Sequence, residues 1–109
     1  METGKLVRVH LSEADKYEGR PLYEAIVELC RNREIAGATV FRGLEGFGET
    51  APIHRRHLIA SDAPISIVIV DTDLKIEKLL PALEALADTS LIAVSGVRMR
   101  RVEKAGGGA

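Results

Sequence analysis

Four stretches of the chain are predicted to be β-strands, from their β-branched and aromatic residues or from alternation of apolar and polar positions. The clearest is ISIVIVD at residues 65–71, and a second is ATVFRGL at residues 38–44. The first stretch, KLVRVHL at residues 5–11, alternates less regularly. The last extends from about residue 91 to residue 102, and Gly96 within it is expected to form a β-bulge.

Apolar residues at helical spacing predict two helices, one after the first strand and one after the third. The first is expected over residues 21–34, since proline is tolerated at the first helical position and Gly37 follows as a stop signal. The second begins after a cap at Thr72 or Asp73. Pro81 lies inside its apolar pattern and removes a backbone hydrogen bond, so we expect a kink or a break there.

The resulting order, β-α-β-β-α-β, predicts an α+β protein with a ferredoxin-like fold: a four-stranded antiparallel sheet with two helices on one face. A chain of 109 residues is long enough for one core. We therefore expect a single domain over residues 1–104. The tail AGGGA at residues 105–109 is expected to be disordered.

The third predicted strand is apolar on both faces. Ile65, Ile67 and Ile69 point to one side of the sheet, whereas Val68 and Val70 point to the other. Either this is simply a very apolar core strand, or the face without helices is covered by other copies of the chain. We favour the second explanation, because large apolar patches mark interfaces.

The composition argues against several classes of protein. The chain has 15 basic and 16 acidic residues, and a net charge of −1 does not favour nucleic-acid binding. The one cysteine cannot form an internal disulfide, and the N-terminus lacks the apolar core of a signal peptide. The longest apolar run is far shorter than the ~20 residues that span a bilayer. We expect a cytoplasmic protein that neither binds nucleic acid nor inserts into a membrane.

The segment RGLEGFGE contains Gly43, Gly46 and Gly48, a spacing that matches neither the dinucleotide-binding fingerprint nor the P-loop. Two interpretations remain. The glycines could let a hairpin loop bend, or their backbone N–H groups could approach an anionic ligand closely.

A basic tract follows in the same loop, at His54, Arg55, Arg56 and His57. Two histidines three residues apart on a helical turn could share a metal ion. However, no carboxylate or cysteine is placed to complete such a site, and the two arginines would repel a cation. We therefore interpret the tract as a solvated loop that binds an anion or a partner, and we predict no metal site.

Arg98 and Arg100 lie at period-2 spacing on the last predicted strand, with Arg101 on its other face. Two guanidinium groups on one face can converge on a phosphate through bidentate hydrogen bonds. Charge that protects an edge strand from aggregation explains the pattern equally well.

No arrangement of residues points to catalysis. The acidic pairs in SEAD and VDTD suit turns and helix caps better than a general acid and base. Cys30 lies on the apolar stripe of a helix, and His10, on a strand, is expected to be half-buried rather than catalytic. We predict that the protein is not an enzyme and needs no cofactor.

Five stretches of the chain together resemble the PII-like proteins of domain-of-unknown-function family 190. They are GRPLYEAIVELC, AGATVFRGLEGFG, IHRRHL, PISIVIVDTDLKIEKLLPAL and VRMRR. The resemblance extends over roughly residues 6–102. It implies a ferredoxin-like fold, a homotrimer and a signalling or regulatory role without established catalysis.

The wider PII group binds adenine nucleotides in clefts between subunits and moves a long loop after the second strand. The resemblance implies that this loop comprises residues 43–64 here, and that Arg98 and Arg100 match a basic pair that binds a phosphate. It also implies that an adenine nucleotide acts as an effector, and that the loop binds a protein target such as a membrane transporter or an enzyme. The residues that would border the cleft are Thr39, Gly46, Phe47 and Gly48.

One connection departs from the better-known PII proteins, which carry a Gly- and Lys-rich phosphate loop before the last strand. Here that connection is LADTSLIAVSG, with no lysine and no glycine cluster. The departure favours a nucleotide with fewer phosphates or another small anion. The loop at residues 43–64 also contains no tyrosine that could be nucleotidylated.

Three other functions compete with this interpretation. A metal-responsive trimer similar to the divalent-cation tolerance proteins would use His54 and His57 as ligands. A small enzyme such as an acylphosphatase would need an arginine-bearing anion loop near the start, for which HLSEADKYEGR is a poor match. A structural adaptor would bind its target without any ligand.

Overall fold

The computed structural model describes residues 1–44, 46–48, 51–54, 63–87 and 90–103. Its elements in chain order are β1 (Glu2–Ser12), β2 (Lys16–Tyr17), β3 (Arg20–Pro21), α1 (Leu22–Asn32), β4 (Gly37–Arg42), β5 (Gly46–Gly48), β6 (Ala51–His54), β7 (Pro64–Thr72), α2 (Asp73–Leu86) and β8 (Leu91–Met99). The four long strands form one antiparallel sheet in the order β4-β7-β1-β8. This topology confirms the predicted ferredoxin-like fold.

Both helices pack on the same face of the sheet. They bury every second side chain of the central strands. Along β7, Ile65, Ile67, Ile69 and Asp71 are buried, whereas the residues that alternate with them are only half-buried. Each fully buried isoleucine contributes about 1.5–3 kcal/mol relative to an exposed one. The core cluster contains Val7, Val9, Leu11, Leu22, Ile26, Cys30, Ile65, Ile67, Ile69, Ile76, Leu79, Leu83 and Ala87.

Two details of the last helix and strand differ from expectation. Helix α2 continues through Pro81 to Leu86, so the predicted break is wrong, whereas the alternative of a kink stays a prediction. Pro81 is exposed, and water can hydrogen-bond the carbonyl that the proline leaves without an intrahelical partner. Strand β8 ends at Met99 and pairs residue by residue with β1, with Gly96 opposite Lys5. The predicted bulge at Gly96 is therefore wrong.

Helix α1 ends within two residues of its predicted end at residue 34, but the residue that stops it is not Gly37. The helix ends at Asn32, and Glu34 adopts a left-handed backbone conformation with φ of 55°. The N–H of Ile35 donates to the Cys30 carbonyl at 3.0 Å, and the N–H of Glu34 donates to the Arg31 carbonyl at 3.0 Å. This pair of bonds is a Schellman motif, with glutamate at the position that glycine usually occupies.

The segment at residues 43–64 begins and ends at adjacent strands. The N–H of Gly43 donates to the carbonyl of Pro64 at 2.7 Å, which extends the β4–β7 ladder by one bond. Within the segment, β5 pairs antiparallel with β6. The tail at residues 105–109 lies outside the described residues, so its expected disorder stays a prediction.

We expect Glu34→Gly to raise the free energy of unfolding by about 0.5–1 kcal/mol, because glycine adopts positive φ without a Cβ clash. Chemical denaturation at one fixed protein concentration measures the change. Glu34→Ala is the control, since it removes the same charge but keeps the Cβ. Equal stability of the two variants would contradict the assignment of strain to Glu34.

Candidate functional site

A cleft of about 340 Å³ lies where β1, β8 and the first residue of α2 meet. Its lining residues are Thr3, Gly4, Lys5, Asp73, Gly96, Val97 and Arg98. Thr3 is opposite Arg98, and Lys5 is opposite Gly96. Because directly opposite residues share a face of the sheet, Thr3, Lys5 and Arg98 all lie on the helix-bearing face. We call this the β8 cleft.

Asp73 is the central acceptor of the β8 cleft. Its Oδ2 accepts a hydrogen bond from the Thr3 hydroxyl at 3.0 Å, and its Oδ1 accepts one from the Lys5 ammonium at 3.1 Å. The bond from Lys5, and then that from Thr3, lowers the pKa of Asp73 below its usual value. Within the part of the chain that the structure describes, Arg98 makes no ion pair. Among these residues, the cleft therefore combines one paired and one unpaired cation.

Asp71 lies opposite Lys5 on the neighbouring strand and links three segments of the chain. Its carboxylate is 1% exposed and accepts hydrogen bonds from the backbone N–H of Ala36 at 2.8 Å and of Thr72 at 2.6 Å. The Arg101 guanidinium lies 3.9 Å away. A buried carboxylate is costly unless it is hydrogen-bonded, so these donors account for its presence. Asp71 thus binds backbone N–H groups.

The predicted ligand residues do not come together within one chain. Arg98 lies on edge strand β8, and Arg100 is exposed just beyond its end. Thr39 lies on the other edge strand, β4, opposite Val68, and therefore on the face away from the helices. Three strand spacings separate the two edges by about 14 Å. The predicted site is therefore divided between opposite edges and opposite faces of the sheet.

The remaining predicted residues belong to the segment at residues 43–64. Gly46, Phe47 and Gly48 form β5, and His54 ends β6 opposite Gly46. The other three members of the basic tract, Arg55, Arg56 and His57, lie outside the described residues. Their predicted role in partner binding stays a prediction.

The face of the sheet away from the helices has apolar side chains at its centre and on both edge strands, as the third-strand pattern indicated. Leu6, Val68 and Val70 are half-buried at its centre. Phe41 and Leu91, on the two edge strands, are 54% and 50% exposed. We call this surface the open face. His10 lies on it and is exposed, because it points away from the helices, so its expected half-burial is wrong.

The described parts of the chain give little support to a metal site, a reactive cysteine or a membrane-spanning helix. No group of three or more histidine, cysteine, aspartate or glutamate residues there could hold a metal ion. Burial raises the pKa of Cys30 to about 11, so its thiol stays protonated and a poor nucleophile at neutral pH. No helix within these segments has the length and apolar character needed to cross a membrane.

Comparison with known proteins identifies the family. The family model DUF190, described as "Uncharacterized ACR, COG1993", matches residues 4–99. The chain belongs to this family. A UPF0166 protein of Aquifex aeolicus is 37% identical over 78 residues, which cover 70% of this chain and 74% of that protein. A UPF0166 protein of Methanocaldococcus jannaschii is 30% identical over 108 residues, which cover 94% and 97% of the two chains.

Solved structures show the same fold. CPII, a nitrogen regulatory PII-like protein from Thiomonas intermedia solved with ADP, AMP and bicarbonate, matches with a TM-score of 0.70 at 20% identity, over 91% of this chain and 90% of its own. A protein from Thermus thermophilus described as PII-like matches at 0.65 and 16% identity, over 88% of each chain. The divalent cation tolerance protein CutA from Archaeoglobus fulgidus matches at 0.54 and 12% identity, over 94% and 90%. These likenesses confirm the PII-like, ferredoxin-type fold.

Sequence reasoning missed Thr3, Lys5 and Asp73 as neighbours of Arg98. Alternation along β1 does place Lys5 on the same face as the buried Val7. The missing information was the register between the first and last strands, which brings Lys5 opposite Gly96. Nothing in the local composition specifies that register.

We expect Asp71→Ala to lower the free energy of unfolding by about 1.5–3 kcal/mol, because the backbone N–H groups of Ala36 and Thr72 lose a charged acceptor. Chemical denaturation of the two proteins measures the difference. Asp71→Asn retains one carbonyl oxygen and should cost less than Asp71→Ala. A change below about 0.5 kcal/mol in Asp71→Ala would show that the carboxylate does not hold the start of β4 to β7.

Proposed function

We propose that the protein is a PII-like regulator: a cytoplasmic homotrimer that binds a small anion of the adenine-nucleotide class in clefts between subunits. The segment at residues 43–64 then contacts a protein target, such as a transporter or an enzyme. The proposal includes no catalytic step. The observation that carries it is the division of the predicted ligand residues between the two edges of the sheet.

That division has a simple geometric consequence. If edge strand β8 of one copy lies beside edge strand β4 of the next, the strand that carries Arg98 in the first meets the strand that carries Thr39 in the second. Because these two side chains leave opposite faces of the sheet, a ligand that contacts both would have to lie at the boundary between the two edges. Such a contact uses two different surfaces, so it is heterologous, and repeating it around a three-fold axis closes a ring. A complete site would then form at each of the three boundaries. The apolar open face supplies a surface that such an assembly could bury.

The likeness to CPII supports the choice of ligand. CPII was solved with ADP, AMP and bicarbonate, all of them anions with few phosphates or none. This chain has no lysine in the connection between α2 and β8, and the cations that the resemblance assigns to the phosphate are Arg98 and Arg100. A ligand with one or two phosphates requires fewer cations than a triphosphate does. The likeness to CutA concerns the fold alone, and no described group of residues favours the metal-responsive alternative.

We expect wild-type protein to bind AMP or ADP in isothermal titration calorimetry, and Arg98→Ala and Arg100→Ala each to weaken binding about tenfold or more. Charged hydrogen bonds contribute about 1.5–3 kcal/mol each, which explains the size of the loss. Arg20→Ala is the control, because Arg20 pairs with Glu28 away from the β8 cleft. Absence of nucleotide binding, or equal losses in all three variants, would overturn the proposed ligand class.

We expect Phe41→Glu and Leu91→Glu to dissociate the trimer, because each places a charge on the open face. Sedimentation velocity measures the mass. Val94→Glu is a matched control: Val94 is 46% exposed on the same strand as Leu91, but it lies opposite Val7 on the other face. A monomeric wild-type protein would refute the trimer, and a trimer that both open-face variants leave intact would refute burial of the open face within it.

A further inference from the structure

The side chains of Lys5 and Arg98 are placed to bind one anion together. Lys5 is opposite Gly96, so Arg98, two residues further along β8, is its diagonal neighbour on the same face. Diagonal neighbours on adjacent strands are about 7–8 Å apart at the backbone, within reach of long side chains. An ammonium and a guanidinium group can therefore converge on a single phosphate group.

Gly96 leaves the space that such an anion needs. A Cβ atom built at this position would meet no other atom within 4 Å, so the surface opposite Lys5 is open. A larger residue at position 96 would project into the β8 cleft and fill it. The open space therefore lies on the same face as the two cations, directly opposite Lys5 and two residues before Arg98 on β8.

Without a ligand, the β8 cleft carries two positive side chains, Lys5 and Arg98, and one negative side chain, Asp73. Lys5 is paired with Asp73, at side-chain exposures of 31% and 43%, whereas Arg98 has no ion pair among the described residues. An ion pair with this much exposure contributes little and exchanges readily. A phosphate would compensate Arg98 and compete with Asp73 for Lys5. Thr3, which now donates to Asp73, is a further donor at the same place.

We propose that the β8 cleft binds a phosphate group between Lys5 and Arg98, and that Asp73 weakens this binding by holding Lys5. The inference deepens the proposed function, on which it rests for the role of Arg98. It assigns Lys5 as a second cation of the site and Asp73 as an internal competitor of the ligand. The phosphate group belongs either to a nucleotide or to free inorganic phosphate.

The test measures the affinities of AMP and of inorganic phosphate separately, by chemical-shift titration of amide signals on β1 and β8. Asp73→Asn should bind about two- to fivefold more tightly than wild type, because Lys5 is released from a surface ion pair. Lys5→Gln should bind about tenfold more weakly, because a charged donor is lost. Gly96→Phe should abolish binding and leave the spectrum of the fold intact.

Matched controls separate specific effects from the change in net charge. Glu28→Gln removes a carboxylate from the exposed pair with Arg20, and Lys16→Gln removes an exposed lysine from β2. Both should bind each anion within about twofold of wild type, since distant exposed charges are screened by salt. An Asp73→Asn affinity no higher than that of Glu28→Gln would overturn the inference, as would a Lys5→Gln affinity equal to that of Lys16→Gln.

The results also distinguish this inference from the proposed function. If AMP binds in an Arg98-dependent manner but the Lys5 and Asp73 variants match their controls, the proposed function stands and this inference fails. If inorganic phosphate follows the expected order of variants and no adenine nucleotide binds, the site is supported and the nucleotide class fails. If neither anion perturbs β1 or β8 in wild type or Asp73→Asn, both fail.

Discussion

Burial of one face of the two central strands holds the protein together. Strand β1 has β7 on one side and β8 on the other, and its Val7 and Val9 lie beneath the helices beside Ile67 and Ile69 of β7. Both edge strands take their register from this pair of central strands. Because a shift by one residue would turn the isoleucines outward, the buried alternation determines which residues face the helices and which face away. The division of Thr39 and Arg98 between opposite faces follows from that register.

Periodicity in the sequence was enough to predict the main features of the fold. The alternating isoleucines of β7 and the helical spacing around Ile26 and Ile76 led to the correct order of the main elements and the correct topology. Predictions from single residues succeeded less often. Gly96 continues a regular strand, Pro81 does not break its helix, and the left-handed residue that stops α1 is Glu34 rather than Gly37. In each case tertiary packing, local hydrogen bonding or access to water outweighs the preference of one residue.

The candidate site was only partly predictable. Arg98, which lines the β8 cleft, could be singled out because its spacing from Arg100 and the family resemblance both draw attention to it. Arg100 is not among the residues that line the cleft, and its role in ligand binding stays a prediction. Lys5 could not be singled out, because a single lysine in an apolar strand carries no signal until the opposite strand is known. Asp73 was predicted as a cap residue, and its binding to Lys5 and Thr3 depends on contacts between residues about seventy positions apart in the chain. Sites assembled from distant strands have this property in general.

The hydrogen bond between Gly43 and Pro64 has a consequence for how this protein could change over time. The two ends of the intervening segment leave the sheet side by side, and they are joined before the chain departs. Since closing a longer loop costs only slightly more entropy, insertions or replacements between these two residues need not disturb the strands. A lineage could therefore exchange this segment while the four-stranded scaffold and the β8 cleft on the other edge of the sheet are inherited unchanged.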